Sequence, residues 1–206
     1  MKTLMTSMAG IVLVAATAAA RADAVEQLNA FIEGTRSARA GFTQRVTDSA
    51  GETVQESSGL VEFSRPGRFR WHYRKPFEQL VVGDGETLWI YDQDLDQVTT
   101  RKLDSALGSS PAALLAGSDE IGRYFALESK GKRGGLEWLE ARPYDEDSMF
   151  ERVQMGFVRD TLEVMELYDH FGQKTVIRFT GLQRNPGFAA DAFTFVPPPG
   201  ADVVSE

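Results

Sequence analysis

The chain has 206 residues, 30 Asp and Glu against 22 Lys and Arg, a formal net charge of −8, and no cysteine. An acidic balance argues against nucleic acid and anionic lipid as partners, since both call for a basic patch. The missing cysteines exclude a disulfide-stapled scaffold, so a core must supply the stability, and the length is sufficient for one well-cored domain.

Lys2 precedes an apolar run over residues 8–20, which ends in Ala20-Arg21-Ala22, with Ala22-Asp23-Ala24 just beyond. A charged start, an apolar stretch too short to span a bilayer comfortably and an A-x-A site follow the grammar of an export signal. The expectation is a signal peptide over 1–22, cleaved near Ala22 or Ala24, and a single soluble domain over 23–206 in the periplasm. Removal of Lys2 and Arg21 leaves that domain more acidic still.

Val25, Leu28, Phe31 and Ile32 recur at helical spacing, predicting an amphipathic helix over about 23–37 with Asp23 and Glu26 at its start. Alternation then takes over, with Ala40, Phe42, Gln44 and Val46 in one phase of a strand and a turn at 48–51. Strands follow at 54–55 and 60–64. Leu80-Val81-Val82 and the run 87–91 flank Gly83-Asp84-Gly85-Glu86, a hairpin signal, and a further strand fits 97–103.

One interruption follows. Ser110-Pro111 supplies an N-cap and a first-turn proline, and residues 112–116 form an apolar helix that Gly117 can end. A short helix fits 119–123. Strands resume at 124–128, 136–141, 150–158, 162–168 and 174–182, and Phe193-Thr194-Phe195-Val196 reads as a last strand before Pro197. The pattern is an antiparallel meander with helices at the N-terminus and in the middle. It leaves two arrangements open: an α+β core with permanently packed helices, or a curved sheet whose open side the helices cover.

The richest stretch is 59–73. Val61 and Phe63 share one strand face, and Arg65 is next in that phase. After Arg65-Pro66, Phe69, Trp71 and Tyr73 share a face, while Arg68, Arg70 and His72 take the other. An arginine on an apolar face either snorkels to solvent or finds a partner above that face. Leu88 and Trp89 lie on opposite faces of their strand, so at most one faces the interior.

In order and spacing, Phe42-Thr43-Gln44, Asp48-x-x-Gly51, Arg65-Pro66 with Phe69-x-Trp71-His72, Asp84-Gly85-x-Thr87-Leu88-Trp89 with Tyr91, Pro111-x-x-Leu114-Leu115-Ala116 and Phe193-Thr194-Phe195 before Pro197-Pro198 resemble the outer-membrane lipoprotein carrier family, LolA. The match spans about 40–204; Ser64 departs from the lysine common in relatives, and 149–157 carries no matching motif.

The resemblance implies a mainly β fold with α, an unclosed antiparallel β-barrel covered by a helical lid. It implies a hydrophobic cavity for acyl chains, here lined by Phe42, Val61, Phe63, Phe69, Trp71, Tyr73 and Trp89. Arg65 would latch the lid by bonding to its backbone carbonyls, and Leu114 and Leu115 would plug the cavity. The implied partners are acylated lipoproteins as cargo, a lipoprotein-releasing ABC transporter in the inner membrane and a receptor in the outer membrane, met by a monomer without cofactor.

The residues offer little for catalysis. His72 lies on a basic strand face and His170 at a turn, and no G-x-S-x-G occurs. Asp92-x-Asp94-x-Asp96 has the start of a calcium loop, but Gln97 and Leu103 stand where glycine and glutamate are needed, so no metal is expected. The competing readings are a periplasmic lipid- or partner-sensing regulatory domain of the same fold, a carrier for another acylated molecule, and a secreted hydrolase.

Overall fold

The computed structural model describes residues 23–103, 115–116 and 121–205. The expected signal segment and most of the expected central helix, Leu114 included, lie outside the described residues. Helix α1 spans Ala24–Gly34. Asp23 caps it, its carboxylate accepting from the amides of Val25 and Glu26 at 2.9 and 3.0 Å. The buried stripe is Ala24, Gln27, Leu28, Phe31 and Ile32.

Twelve strands form one sheet: β1 (Ser37–Thr47), β2 (Thr53–Ser64), β3 (Arg68–Lys75), β4 (Gln79–Asp84), β5 (Thr87–Asp92), β6 (Gln97–Lys102), β7 (Phe125–Arg133), β8 (Leu136–Pro143), β9 (Phe150–Val158), β10 (Thr161–Asp169), β11 (Lys174–Arg184) and β12 (Asp202–Ser205). Their order is β12-β6-β5-β4-β3-β2-β1-β11-β10-β9-β8-β7. β12 and β7 are the edges and do not pair, so the sheet is open. Two meanders, β1–β6 and β7–β11, join where β1 pairs antiparallel with β11.

This topology forces two long crossings. The chain leaves β6 near one edge and re-enters at β7, the opposite edge. Leu103, Leu115 and Ala116 of that connection belong to the main core, together with Phe63, Phe69, Met155 and Leu139, so these residues lie on the inner face. Helix α1 packs on the same face, against β7 to β10. The second crossing, 185–201, leads from β11 to β12 over the outer face, where Phe195 lies against Trp89 and Tyr91 with ring centroids 5.6 and 5.9 Å apart.

Several sequence expectations need correction. Residues 193–196 form no strand, although Phe193 is buried. The last strand is β12, and it pairs parallel to β6, so the sheet is not wholly antiparallel. The short helix expected at 119–123 is described only as a 3₁₀ turn at Ile121–Arg123. β7 continues past 128 to Arg133, through a bulge between Ser129 and Gly131.

Among the described residues no helix is long and apolar enough to cross a membrane.

Candidate functional site: a latched apolar interior

Strand alternation builds the inner face. Val61 pairs with Trp71 and with Ala40, and Phe63 with Phe69, across the β1–β2–β3 ladders. Phe42, Val61, Phe63, Phe69 and Trp71 are all buried in the main core, and Tyr73 packs against it. Gly59 leaves the space that Phe42 uses: a Cβ there would meet the Phe42 ring at 3.0 Å and the His72 carbonyl oxygen at 1.9 Å. Phe42 lies 4.9 Å from Trp71 and 5.2 Å from Tyr73 by ring centroid, and Phe179 of β11 closes the group at 6.4 Å from Trp71.

The structure places Trp89 elsewhere. Leu88 is the residue of that pair in the inner core, and Trp89 lies on the outer face beneath Phe195. Its indole Nε1 donates to Asp84 Oδ2 at 2.8 Å. The expected cavity position of Trp89 is therefore corrected to Leu88. The cause is register: Leu88 is opposite Gly83, and Trp89 opposite Val82, on the outer side.

Residues of four neighbouring strands, among them Val61 and Phe63 of β2, Leu162 of β10 and Phe179 of β11, converge with Phe31 of α1 and Leu115 on a hollow of about 10 Å³. That is room for about one water molecule.

Arg65 lies at the rim of this interior. Its Nε donates to the carbonyl of Leu115 at 3.1 Å, and its Nη1 to the carbonyl of Ile32, in the last turn of α1, at 3.4 Å. The guanidinium also stacks over Phe31 and Phe63, 5.6 and 5.2 Å from the ring centroids. A planar fork with several donors suits carbonyls left unpaired at helix ends. Next to it, the Gly67 amide donates to the Ala116 carbonyl at 2.8 Å. The loop between β2 and β3 thus holds the β6–β7 connection at two adjacent carbonyls. Gly67 has φ +69°, and a Cβ there would meet Leu103 at 3.0 Å.

Two polar groups complete the inner aromatic cluster. Tyr73 donates its hydroxyl to Gln44 Oε1 at 3.2 Å, and burial pushes its pKa up to about 12 in spite of that bond. Trp71 Nε1 is buried and, among the described residues, has no acceptor. An orphaned buried donor costs about 1–3 kcal/mol. Sequence reasoning put Gln44 in the right phase but gave it no role.

The histidines are engaged elsewhere: His72 Nε2 meets Glu78 at 2.8 Å, and His170 Nε2 meets the Ser148 carbonyl at 2.9 Å. Among the described residues no three acidic or histidine side chains group as a metal site.

An open curved sheet, a helix and the Leu115–Ala116 segment over its apolar face, and an arginine bonded to both define a class of helix-covered open sheets. The model of the family described as "Outer membrane lipoprotein carrier protein LolA" matches residues 33–196, and the chain belongs to that family. An outer-membrane lipoprotein carrier protein of Cupriavidus taiwanensis is 50% identical over 206 residues, covering 98% of each chain. One of Nitrosospira multiformis, with the same name, is 51% identical over 191 residues, 92% of each. The crystal structure of a LolA superfamily protein from Nitrosomonas europaea, 10% identical, shares the fold at a TM-score of 0.50 over 82% of this chain and 95% of that one.

Proposed function

We propose that this protein is a periplasmic carrier of lipoproteins, a chaperone without turnover that shelters acyl chains on the inner face of its sheet. In this reading the export segment at 1–22 is removed, cargo arrives from a lipoprotein-releasing transporter of the inner membrane, and it leaves to an outer-membrane receptor. Burial of apolar chain is worth about 0.8 kcal/mol per CH₂. A palmitoyl chain therefore costs on the order of 10 kcal/mol to expose to water, so cargo needs an apolar surface throughout its transit.

The observation that carries the reading is the pair of bonds from Arg65 to Leu115 and Ile32. They join the sheet to both covering elements beside an apolar hollow of about 10 Å³. In this reading the bonds hold the carrier closed, with its own Phe31 and Leu115 in the place that cargo takes, which keeps an apolar trough from collecting wrong ligands. Charge-assisted bonds of about 1.5–3 kcal/mol each are strong enough to favour closure and weak enough for acyl chains to displace.

The test is release and transfer. Membranes bearing a lipoprotein, incubated with the releasing transporter and the purified protein, should yield a soluble one-to-one complex that passes cargo to receptor-containing membranes. Arg65→Leu should disturb this cycle. Absence of a soluble complex would refute the carrier reading, and normal transfer by Arg65→Leu would refute the latch.

A further inference from the structure

The three tryptophans of this chain treat their indole donors differently. Trp89 Nε1 donates to Asp84 at 2.8 Å, and Trp138 Nε1 to the Arg133 carbonyl at 3.0 Å. Trp71, only 2% exposed and set among Phe42, Tyr73 and Phe179, has no acceptor for its Nε1 among the described residues. Phenylalanine would fill such a place without stranding a donor. A buried indole donor without an acceptor calls for a physical reason, and an acceptor that comes from outside supplies one.

The surroundings limit what that acceptor is. Carbon lines most of the site, so a charged group would enter at a high desolvation cost. The Tyr73 ring lies 6.4 Å from that of Trp71 by centroid, and its hydroxyl is bonded to the Gln44 amide at 3.2 Å. Gln44 and Tyr73 also line an open cleft beside Phe77 and Leu95, which are 70% and 69% exposed. The aromatic cluster therefore has an oily side toward the core and a wet, polar side toward this cleft. An uncharged acceptor that carries an alkyl chain one way and a polar remainder the other matches both sides.

We infer that Trp71 Nε1 donates a hydrogen bond to an ester carbonyl at the head of a bound acyl chain, and that Trp71 is the residue by which this protein distinguishes ester-linked acyl chains from plain alkyl chains. The inference rests on the carrier reading above. The chain lies on the inner apolar face, and the glyceryl and peptide portion leaves past Tyr73 and Gln44 toward the cleft.

The test uses the whole protein and two synthetic probes, a cysteine peptide with two ester-linked palmitoyl chains and its analogue with ether-linked hexadecyl chains. Their chains have the same number of carbons, and only the first offers ester carbonyls. The unaltered protein should bind the ester probe about tenfold more tightly, the effect of one hydrogen bond to an otherwise orphaned donor. Trp71→Phe should bind both probes alike, at about the affinity of the ether probe. Equal binding of the two probes by the unaltered protein would overturn the inference and leave the carrier reading standing. A preference that survives in Trp71→Phe would overturn the role of Trp71. Failure to bind either probe would overturn both this inference and the carrier reading. The comparison on the unaltered protein holds whether or not the variant folds.

Discussion

Arg65 reaches the carbonyl of Leu115, fifty residues further along the chain, at 3.1 Å, and its neighbour Gly67 bonds the next carbonyl, that of Ala116, at 2.8 Å. A sheet loop and the connection that crosses the sheet are thereby tied by two adjacent bonds, one charged and one neutral. The charged one borrows rigidity from Phe31 and Phe63, over which the guanidinium is stacked.

The Gly67 amide is a direct reporter of this tie. Arg65→Leu removes the charged bond, and the loss of about 1.5–3 kcal/mol should speed hydrogen exchange at Gly67 roughly ten- to hundredfold. Arg65→Lys should restore only part of the protection, since an ammonium is a point donor without the planar fork that reaches Leu115 and Ile32 together. Unchanged exchange at Gly67 in Arg65→Leu would mean that packing alone holds the connection.

Gly59 makes a second, purely steric prediction. A Cβ there would lie 1.9 Å from the His72 carbonyl oxygen, within the β2–β3 ladder, where neither backbone can yield cheaply. Gly59→Ala should cost about 3 kcal/mol or more, read as a lower denaturant midpoint at unchanged slope. Gly187→Ala, where nothing lies within 4 Å of the added carbon, is the control and should stay within about 0.5 kcal/mol.

Tyr73 predicts a pH dependence in the alkaline range. Its hydroxyl has a pKa of about 12 in the fold, against 10.0 ordinarily, because burial disfavours the phenolate. The folded state thus keeps its proton where the unfolded chain has lost it. The sign follows: the contribution is fully present below pH 10 and is lost as the pH rises through 12, up to about 2–3 kcal/mol. Ultraviolet titration should show Tyr73 among the late tyrosines, beside Tyr91, whose pKa burial and Asp96 also raise, and Tyr73→Phe should remove its own component and flatten the stability curve between pH 10 and 12.

Much of this architecture was legible in the order of residues, for reasons that differ by element. Alternation in 68–75 separated Phe69, Trp71 and Tyr73 from Arg70 and His72 because one strand face is greasy and the other is not. Helix α1 was legible from its stripe and from Asp23. The choice between Leu88 and Trp89 was not, because both faces of β5 are covered, one by the core and one by Phe195, so composition carries no sign of which is inward. The crossing at 185–201 was also missed. Phe193 and Phe195 have strand-like alternation, but what fixes them is the company of Phe188, Trp89 and Tyr91, distant in sequence. β12 is short and exposed, and its pairing depends on the vacant edge of β6 rather than on any pattern of its own. The latch partner of Arg65 was available only through family resemblance, since no local pattern points from position 65 to position 115.

The outer crossing gives the last prediction. Phe195 covers Trp89 and Tyr91 on the face opposite the candidate site, while Arg39 lies over Phe188 further along the same strap. Phe195→Ala deletes a half-buried ring and two aromatic contacts, so stability should fall by about 1–2 kcal/mol. The indole N–H resonance of Trp89 should shift, because its bond to Asp84 loses shelter from water. Exchange at Gly67 should stay as in the unaltered protein, since the sheet separates the strap from the bonds of Arg65 and Gly67. If Phe195→Ala instead loosened Gly67 as much as Arg65→Leu does, the two faces would be coupled, and the strap would belong to the opening mechanism rather than to the scaffold that supports it.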